Sequence, residues 1–307
     1  MERYSVLVLL STYNGEKYLS EQLNSILFQE NVNCKILVRD DGSKDKTISL
    51  IEDFIVRYPN QISLIRGDNV GPAESFWQLM LEGSLLEYDY YAFADQDDFW
   101  EKDKLYAACS QLNIDKPSVY CGSYKLADEL LNIIPTLQCK KYPDIYHAFY
   151  QNIATGCTMV INRALLSLII MRKPDYLFMH DEWVYKVGVF IGADIVIDYI
   201  PHIYYRQHSN NVIGSKQYSL ISTWYRRMLK LFIADKKTQN HRYKTMECIY
   251  QLYADKIPKE NFDFIENIIY YKELKHKLKL LFNSQIYKHY ILSDRLNLFF
   301  LLLLNKL

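Results

Sequence analysis

No two cysteines in this chain are spaced C-x-x-C. Cys34, Cys109, Cys121, Cys139, Cys157 and Cys248 stand apart, which removes the usual ligand frame of a zinc site. Several of them lie inside apolar runs, as buried thiols do, and a reducing, cytoplasmic setting fits them. No secretory leader is visible, because Met1-Glu2-Arg3-Tyr4 runs directly into a short apolar stretch. Long hydrophobic runs are missing too. The longest, Leu298–Leu304, is far short of the roughly 20 residues that span a bilayer. Neither G-x-G-x-x-G nor G-x-x-x-x-G-K-[ST] occurs, which counts against a Rossmann dehydrogenase and a P-loop enzyme. There is no internal repeat and no low-complexity linker. Net charge is absent as well, with 36 Lys+Arg against 36 Asp+Glu.

That zero hides an asymmetry. From Lys216 onward there are 17 Lys+Arg and 8 Asp+Glu, against 19 and 28 before it. An acidic site followed by a basic surface is the expected arrangement. No nucleic-acid motif accompanies the basic part, so nucleic acid is not an expected partner. The 307 residues, 50% hydrophobic and 23% charged, can bury a sizeable core in one large domain or two.

The first hundred residues alternate strand and helix signals. Ser5–Leu10, Cys34–Val38, Ile62–Ile65 and Tyr90–Ala94 are short apolar runs of the kind buried strands show. Between them, Leu19, Leu23, Ile26 and Leu27, then Ile48, Ile51, Phe54 and Ile55, fall at helical spacing, and Ala73–Leu86 reads as a third helix. Such alternation predicts a mostly parallel twisted sheet flanked by helices, with Ser11–Asn14, Asp40–Ser43 and Asp95–Asp98 gathered where the strands end. Further on, Ser118–Ser123, Thr155–Ile161, Ala193–Ile197 and His202–Tyr205 read as strands. A helix is expected from His180 to Ile191. Residues 124–152 are Tyr-rich and poorly patterned, as an acceptor-side loop could be. Beyond residue 215 the chain turns Lys-, Tyr- and Leu-rich with helical periodicity, so the expected division is 1–215 and a basic helical region, 216–307.

The stretch Tyr90-Tyr-Ala-Phe-Ala-Asp-Gln-Asp-Asp-Phe-Trp100 organises the rest. Asp95, Asp97 and Asp98 follow an apolar strand directly. Carboxylates so close repel one another and need a counter-charge. A divalent cation that also grips phosphate supplies one. An acidic turn with a helix cap is the alternative the acids alone leave open.

Four stretches, in order over residues 5–215, resemble the inverting glycosyltransferases of family 2, which have the GT-A fold. They are Ser11-Thr-Tyr-Asn-Gly-Glu-Lys-Tyr-Leu19, Asp40-Asp-Gly-Ser43, Asp95-Gln-Asp97 and His180-Asp-Glu-Trp183. Tyr205-Arg-Gln-His-Ser-Asn-Asn-Val-Ile-Gly214 resembles a segment of bacterial rhamnosyltransferases that build surface polysaccharides. The resemblance implies that Asp41 accepts a hydrogen bond from a pyrimidine base, with Asp40 as the turn-former beside it, and that Ser11 and Tyr13 line base and ribose. It implies Asp97 as metal ligand, Asp95 facing the ribose or the metal's water shell, and Asp98 behind them or capping a helix. Mg²⁺ or Mn²⁺ is the implied cofactor. Asp181 is the implied general base, which takes the acceptor's proton opposite the leaving group. Glu182, one residue on and pointing about 100° away on a helix, is grouped with His180 and Trp183 as an acceptor or sugar contact. Trp183 is open between a sugar face and the core, and His180 between orienting Asp181, binding acceptor and a structural role. Arg206 and His208 suit a diphosphate, His208 also the metal, with a structural loop as the alternative.

The expected partners are therefore a nucleoside-diphosphate sugar donor and a glycan or lipid-linked acceptor. Tyr225–Phe232 and Lys272–Leu281 mix cations with apolar residues. They read either as a surface lying on an anionic membrane, peripheral to the inner face of the plasma membrane, or as helices packed on the catalytic domain. Two other functions stay in view. A sugar-1-phosphate nucleotidyltransferase would carry a Gly-rich loop after the first strand, which Ser11–Leu19 lacks. A non-catalytic glycan-binding protein would have no need of intact acids.

Overall fold

Alternation along the first strand builds both cores. In β1 (Tyr4–Thr12), Val6, Val8 and Leu10 join one buried cluster and Leu7 and Leu9 the other, because successive strand residues point to opposite faces. In this computed structural model, which describes residues 3–136, 141–208, 240–288 and 290–307, the chain continues through α1 (Leu19–Leu27), β2 (Val32–Asp40), α2 (Thr47–Arg57), β3 (Ile62–Arg66), α3 (Pro72–Ser84) and β4 (Tyr90–Ala94). Helices α1 and α2 cover the Val6/Val8 face. Helix α3 covers the Leu7/Leu9 face with Phe76, Leu79 and Met80. Each such fully buried side chain is worth about 1.5–3 kcal/mol of transfer free energy.

After β4 come β5 (Phe99–Trp100), α4 (Lys104–Cys109), β6 (Ser118–Ala127), α5 (Ile145–Tyr150), β7 (Met159–Asn162), α6 (Arg163–Ile170), α7 (His180–Phe190) and β8 (Asp194–Arg206). The sheet order is β3-β2-β1-β4-β7-β6-β8-β5. The β3-β2-β1-β4 half is parallel, as expected, with short helical crossovers. The other half is mixed. β7 runs antiparallel to both β4 and β6 and is entered through a 3₁₀ turn at Gly156–Thr158, after the long connection that carries α5. The segments Ala193–Ile197 and His202–Tyr205 are one long strand. The break in pattern between them is a register shift opposite Cys121–Lys125.

Helices α8 (His241–Tyr253), α9 (Lys259–Ile269), α10 (Leu274–Leu281), α11 (Ser284–Tyr287) and α12 (Leu292–Leu303) follow. Met246, Ile249, Ile265, Ile268, Leu298 and Leu302 extend the core on the α3 side of the sheet, so these helices share the buried interior of that face. The expected division near residue 215 lies outside the described residues, as do Cys139, 209–214 and Tyr225–Phe232. Cys109, Cys121, Cys157 and Cys248 are buried. Among the described residues no helix is long and apolar enough to cross a membrane.

Candidate active site

Parallel register brings the loops together. Leu10 pairs with Ala94, and Thr12 with Asp40, so the segments after β1, β2 and β4 leave the sheet side by side. They floor a cleft of ≈930 Å³ lined by Ser11, Tyr13, Asp41, Asp95, Asp97, His180, Asp181, Glu182 and His208, among others. Trp183 and Arg206 are not on its wall.

The wall after β1 and β2 is pre-arranged by hydrogen bonds. Asp40 forms the turn: its carboxylate accepts from the Gly42 and Ser43 N–H groups (3.1 and 2.8 Å) and the Thr12 hydroxyl (3.0 Å). Gly42 sits at φ +82°, where a side chain would be strained. Asp41 is buried and bound to Arg39 Nη1 at 2.5 Å, with the Val70 and Gly71 N–H groups donating to it at 3.0 and 2.9 Å. A carboxylate offers about four acceptor sites, so one remains for a ligand N–H. The Ser11 and Ser75 hydroxyls lie 2.6 Å apart. Gln96, the middle residue of Asp95-Gln-Asp97, clasps the Tyr13 backbone, accepting from its N–H (2.9 Å) and donating to its carbonyl (3.1 Å). A side chain on Gly15 would collide with it. Arg39 and Gln96 were not among the expected site residues. A charged residue closing a buried strand directly before two acids was the available signal for Arg39.

The acidic wall has unbalanced charge. His208 Nε2 lies 2.7 Å from Asp97 Oδ2, its ring tilted against Tyr18 at 5.1 Å. Burial, and then the charges of Asp97 and Asp181, push the Asp95 carboxyl up from its ordinary value. Asp98 lies below the floor, fully buried. It accepts the Arg206 N–H at 3.1 Å and is hydrogen-bonded to the Cys157 thiol, and its Oδ2 has no partner among the described residues. Burial, then Asp97 and Asp95, push its carboxyl well above the usual range. Asp98 caps no helix, since the two-residue β5 follows it. Ligand atoms of Asp95, Asp98 and Cys157 all fall within 4.8 Å of one another. Two acids, Asp95 and Asp98, raised by burial and by their acidic neighbours, with His208 against Asp97 at the rim, are a donor set whose chemistry would suit a divalent cation facing the cleft.

Arg206 corrects the expectation of a diphosphate contact. It is 2% exposed. Its guanidinium donates to the Asp97 carbonyl (2.7 Å), the Glu129 carbonyl and the Glu21 carboxylate, and packs over the Tyr18 ring. Burying a guanidinium is tolerable only with acceptors of this number. The residue therefore fastens the backbone of the acidic loop and the start of α1.

Helix α7 supplies the remaining wall. Its N-cap is Met179, so Asp181 is not the cap; its Oδ1 accepts the Glu182 N–H at 2.7 Å. Burial raises the Asp181 carboxyl to about 6 and the Glu182 charge adds to this, against hydrogen bonds from the Glu182 and Gly156 backbone and the Asn152 side chain. Glu182 is committed elsewhere, to Lys186 Nζ at 2.5 Å and to His241 of α8 at 3.0 Å. Burial works against its carboxylate, but the Lys186 ammonium and His241 hold it at about 2. Trp183 is in the core against Tyr253. Two residues past Asp181 the helix has turned toward α8, which removes it as a sugar contact. His180 stacks on Phe76 with centroids 3.7 Å apart, and neither ring nitrogen has a partner among the described residues. Burial pushes it down to about 3, so the ring is neutral. It reaches Asp181 through no hydrogen bond. Gly156, another residue not expected, must lack a side chain because a Cβ there would come 2.8 Å from His180 Nε2.

Comparison with known proteins gives the family and the fold. Residues 7–166 match the family model "Glycosyl transferase family 2". The dTDP-rhamnosyl transferase RfbG of Shigella flexneri is 31% identical over 237 residues, which cover 71% of this chain and 81% of that protein. The UDP-Glc:alpha-D-GlcNAc-diphosphoundecaprenol beta-1,3-glucosyltransferase WfgD of Escherichia coli is 28% identical over 183 residues, 57% of this chain and 68% of that one. The fold matches the crystal structure of S. aureus TarS 1–349 in complex with UDP-GlcNAc with a TM-score of 0.57, at 16% identity, over 97% of this chain and 90% of that chain.

Proposed function

This chain belongs to glycosyl transferase family 2, and from that premise we propose that it moves L-rhamnose from a dTDP-linked donor to a hydroxyl of a lipid-linked glycan intermediate. It is a GT-A glycosyltransferase of polysaccharide synthesis. The rhamnosyl donor is supported by the likeness to RfbG, and a UDP-hexose is the alternative that the likeness to WfgD supports. The lipid-linked acceptor has the same source, since WfgD by its name acts on a diphosphoundecaprenol-linked sugar.

One observation carries the mechanism. A carboxylate with a raised pKa, Asp181, shares the cleft with the Asp95/Asp97/His208 wall. The donor's pyrimidine lies on the side of Asp41, whose free acceptor site takes the base N–H, with Ser11 and Tyr13 beside the ribose. Asp97, His208 and Asp95 would hold Mg²⁺ or Mn²⁺, which neutralises charge on the departing diphosphate. Asp181 takes the proton from the acceptor hydroxyl. That oxygen bonds to the anomeric carbon as the carbon–phosphate oxygen bond breaks on the opposite face, and the configuration inverts. A base near 6 suits the task, being ionised at neutral pH yet basic enough to share a proton in the transition state. Glu182, tied to Lys186 and His241, keeps the first turn of α7 in place.

The test is transfer in vitro. dTDP-rhamnose and UDP-glucose are offered with a polyprenyl-diphosphate-linked sugar, and the product linkage is read by NMR. An inverted product from either donor, lost in Asp181→Asn, is the expected result. No transfer from either donor, or retained configuration, would contradict the reading.

A further inference from the structure

The C-terminal helices leave a surface that the active site does not use. Along α10 and its C-cap, Leu274, Leu278 and Phe282 recur every fourth residue and are 70%, 41% and 81% exposed, while Leu280 on the other side is buried. Along α12, Leu292, Leu296, Phe299 and Leu303 are exposed at spacings of four, three and four, and Leu298, Leu301 and Leu302 face the core. The two helices pack against each other. Lone exposed leucines are ordinary on a protein surface; seven large apolar side chains on two neighbouring helices are not.

Charge selects the occupant. Residues 272–307 hold seven Lys+Arg and two Asp+Glu. Lys272, Lys275, Lys279, Lys288 and Arg295 are exposed between the apolar positions; of the two acids, Glu273 is exposed and Asp294 is buried. Lysine is depleted at protein–protein interfaces, and a face this cationic repels a second copy of itself. On an anionic bilayer both features are favourable. The leucines and phenylalanines enter the acyl boundary, while the lysine stems lie along it and the ammonium groups reach the headgroups. Helix α12, with 12 residues, is about 18 Å long against a hydrocarbon core of about 30 Å. It has the length to lie in the interface, not to cross it.

We infer that the exposed faces of α10 and α12 form a docking surface for an anionic lipid bilayer, holding the enzyme where a lipid-linked acceptor resides. The surface itself stands on burial and charge. It rests on the proposed acceptor only for its purpose.

The experiment is flotation of the full chain with vesicles of phosphatidylcholine alone and of phosphatidylcholine with 30% phosphatidylglycerol. No sugar donor is present, so its outcome is separate from that of the transfer assay. The expected result is binding to the anionic vesicles only, weakened by 0.5 M salt. Lys275→Gln with Lys279→Gln should weaken it about 30-fold, from about fivefold per cation, and Leu278→Ser with Phe282→Ser at least tenfold. Circular dichroism and UDP binding should be unchanged in both variants, whose altered residues are exposed. No binding of the wild type to anionic vesicles overturns the inference. So does binding unaffected by the Leu278→Ser/Phe282→Ser variant, or a wild-type dimer that this variant turns into a monomer, which would make a second copy the occupant.

Discussion

Replacing Asp181 by Asn should stabilise the protein while abolishing transfer. In the folded chain, burial raises this carboxyl from 3.8 to about 6. At 1.36 kcal/mol per pKa unit, keeping it ionised at neutral pH costs about 3 kcal/mol, somewhat less because the cleft lets in solvent. The sign follows from the direction of the shift. With the folded pKa above the unfolded one, the group's contribution is fully present below about pH 4 and is lost as pH rises through 6. Asn carries no charge and incurs no such loss. Urea unfolding should therefore show the variant equal to wild type near pH 4 and about 2–3 kcal/mol more stable at pH 7.5, equivalent to several degrees in Tm. Transfer should fall by about 10²–10⁴, the usual contribution of a general base. Wild-type kcat/KM should drop about tenfold per pH unit below pH 6. A variant that is less stable at pH 7.5 and still transfers sugar would refute the reasoning. It would make Asp181 a structural acid of the helix first turn, whose loss costs about 0.3–1 kcal/mol.

Two further substitutions separate structure from chemistry around the cleft. Arg206→Met leaves the Asp97 and Glu129 carbonyls and the Glu21 carboxylate without their donor. It should cost about 3–5 kcal/mol in urea unfolding, whereas a higher donor KM with unchanged stability would restore Arg206 as a diphosphate contact. Gly156→Ala puts a methyl 2.8 Å from His180 Nε2. It should lower kcat at least tenfold while leaving nucleotide affinity within about twofold, since misplacing a catalytic group slightly has effects of this size; weakened nucleotide binding with unchanged kcat would contradict it.

The parallel half of the fold was legible because its signals are local. Apolar runs at β1, β2, β3 and β4 alternate with helical spacing, and in-register pairing then brings Ser11, Asp41 and Asp95 to one cleft. The mixed half was less legible. A continuous strand across Pro201 with shifted register gives no periodic signal, and neither does a 3₁₀ turn feeding β7. Of the expected site residues, Asp181, Asp95, Asp97 and His208 meet in the cleft, but Trp183 and Arg206 do not. Sequence shows that a residue is near the site; it does not show whether its side chain turns outward. For Arg206 the decision depends on Glu21 and Glu129, distant in sequence. Arg39 and Gln96 were missed for the same reason, since, Asp41 apart, their partners are backbone groups and side chains brought in from distant parts of the chain.

The central claim is that the Asp41 side of the cleft takes a pyrimidine diphosphate next to a cation held by Asp97. The most direct test is calorimetric titration of dTDP, UDP and GDP into wild type and Asp97→Ala, each with and without Mn²⁺. The account predicts binding of dTDP or UDP that Mn²⁺ strengthens in the wild type and no longer strengthens in the variant. Binding of neither pyrimidine diphosphate, or binding that ignores both Mn²⁺ and the Asp97→Ala change, would contradict it.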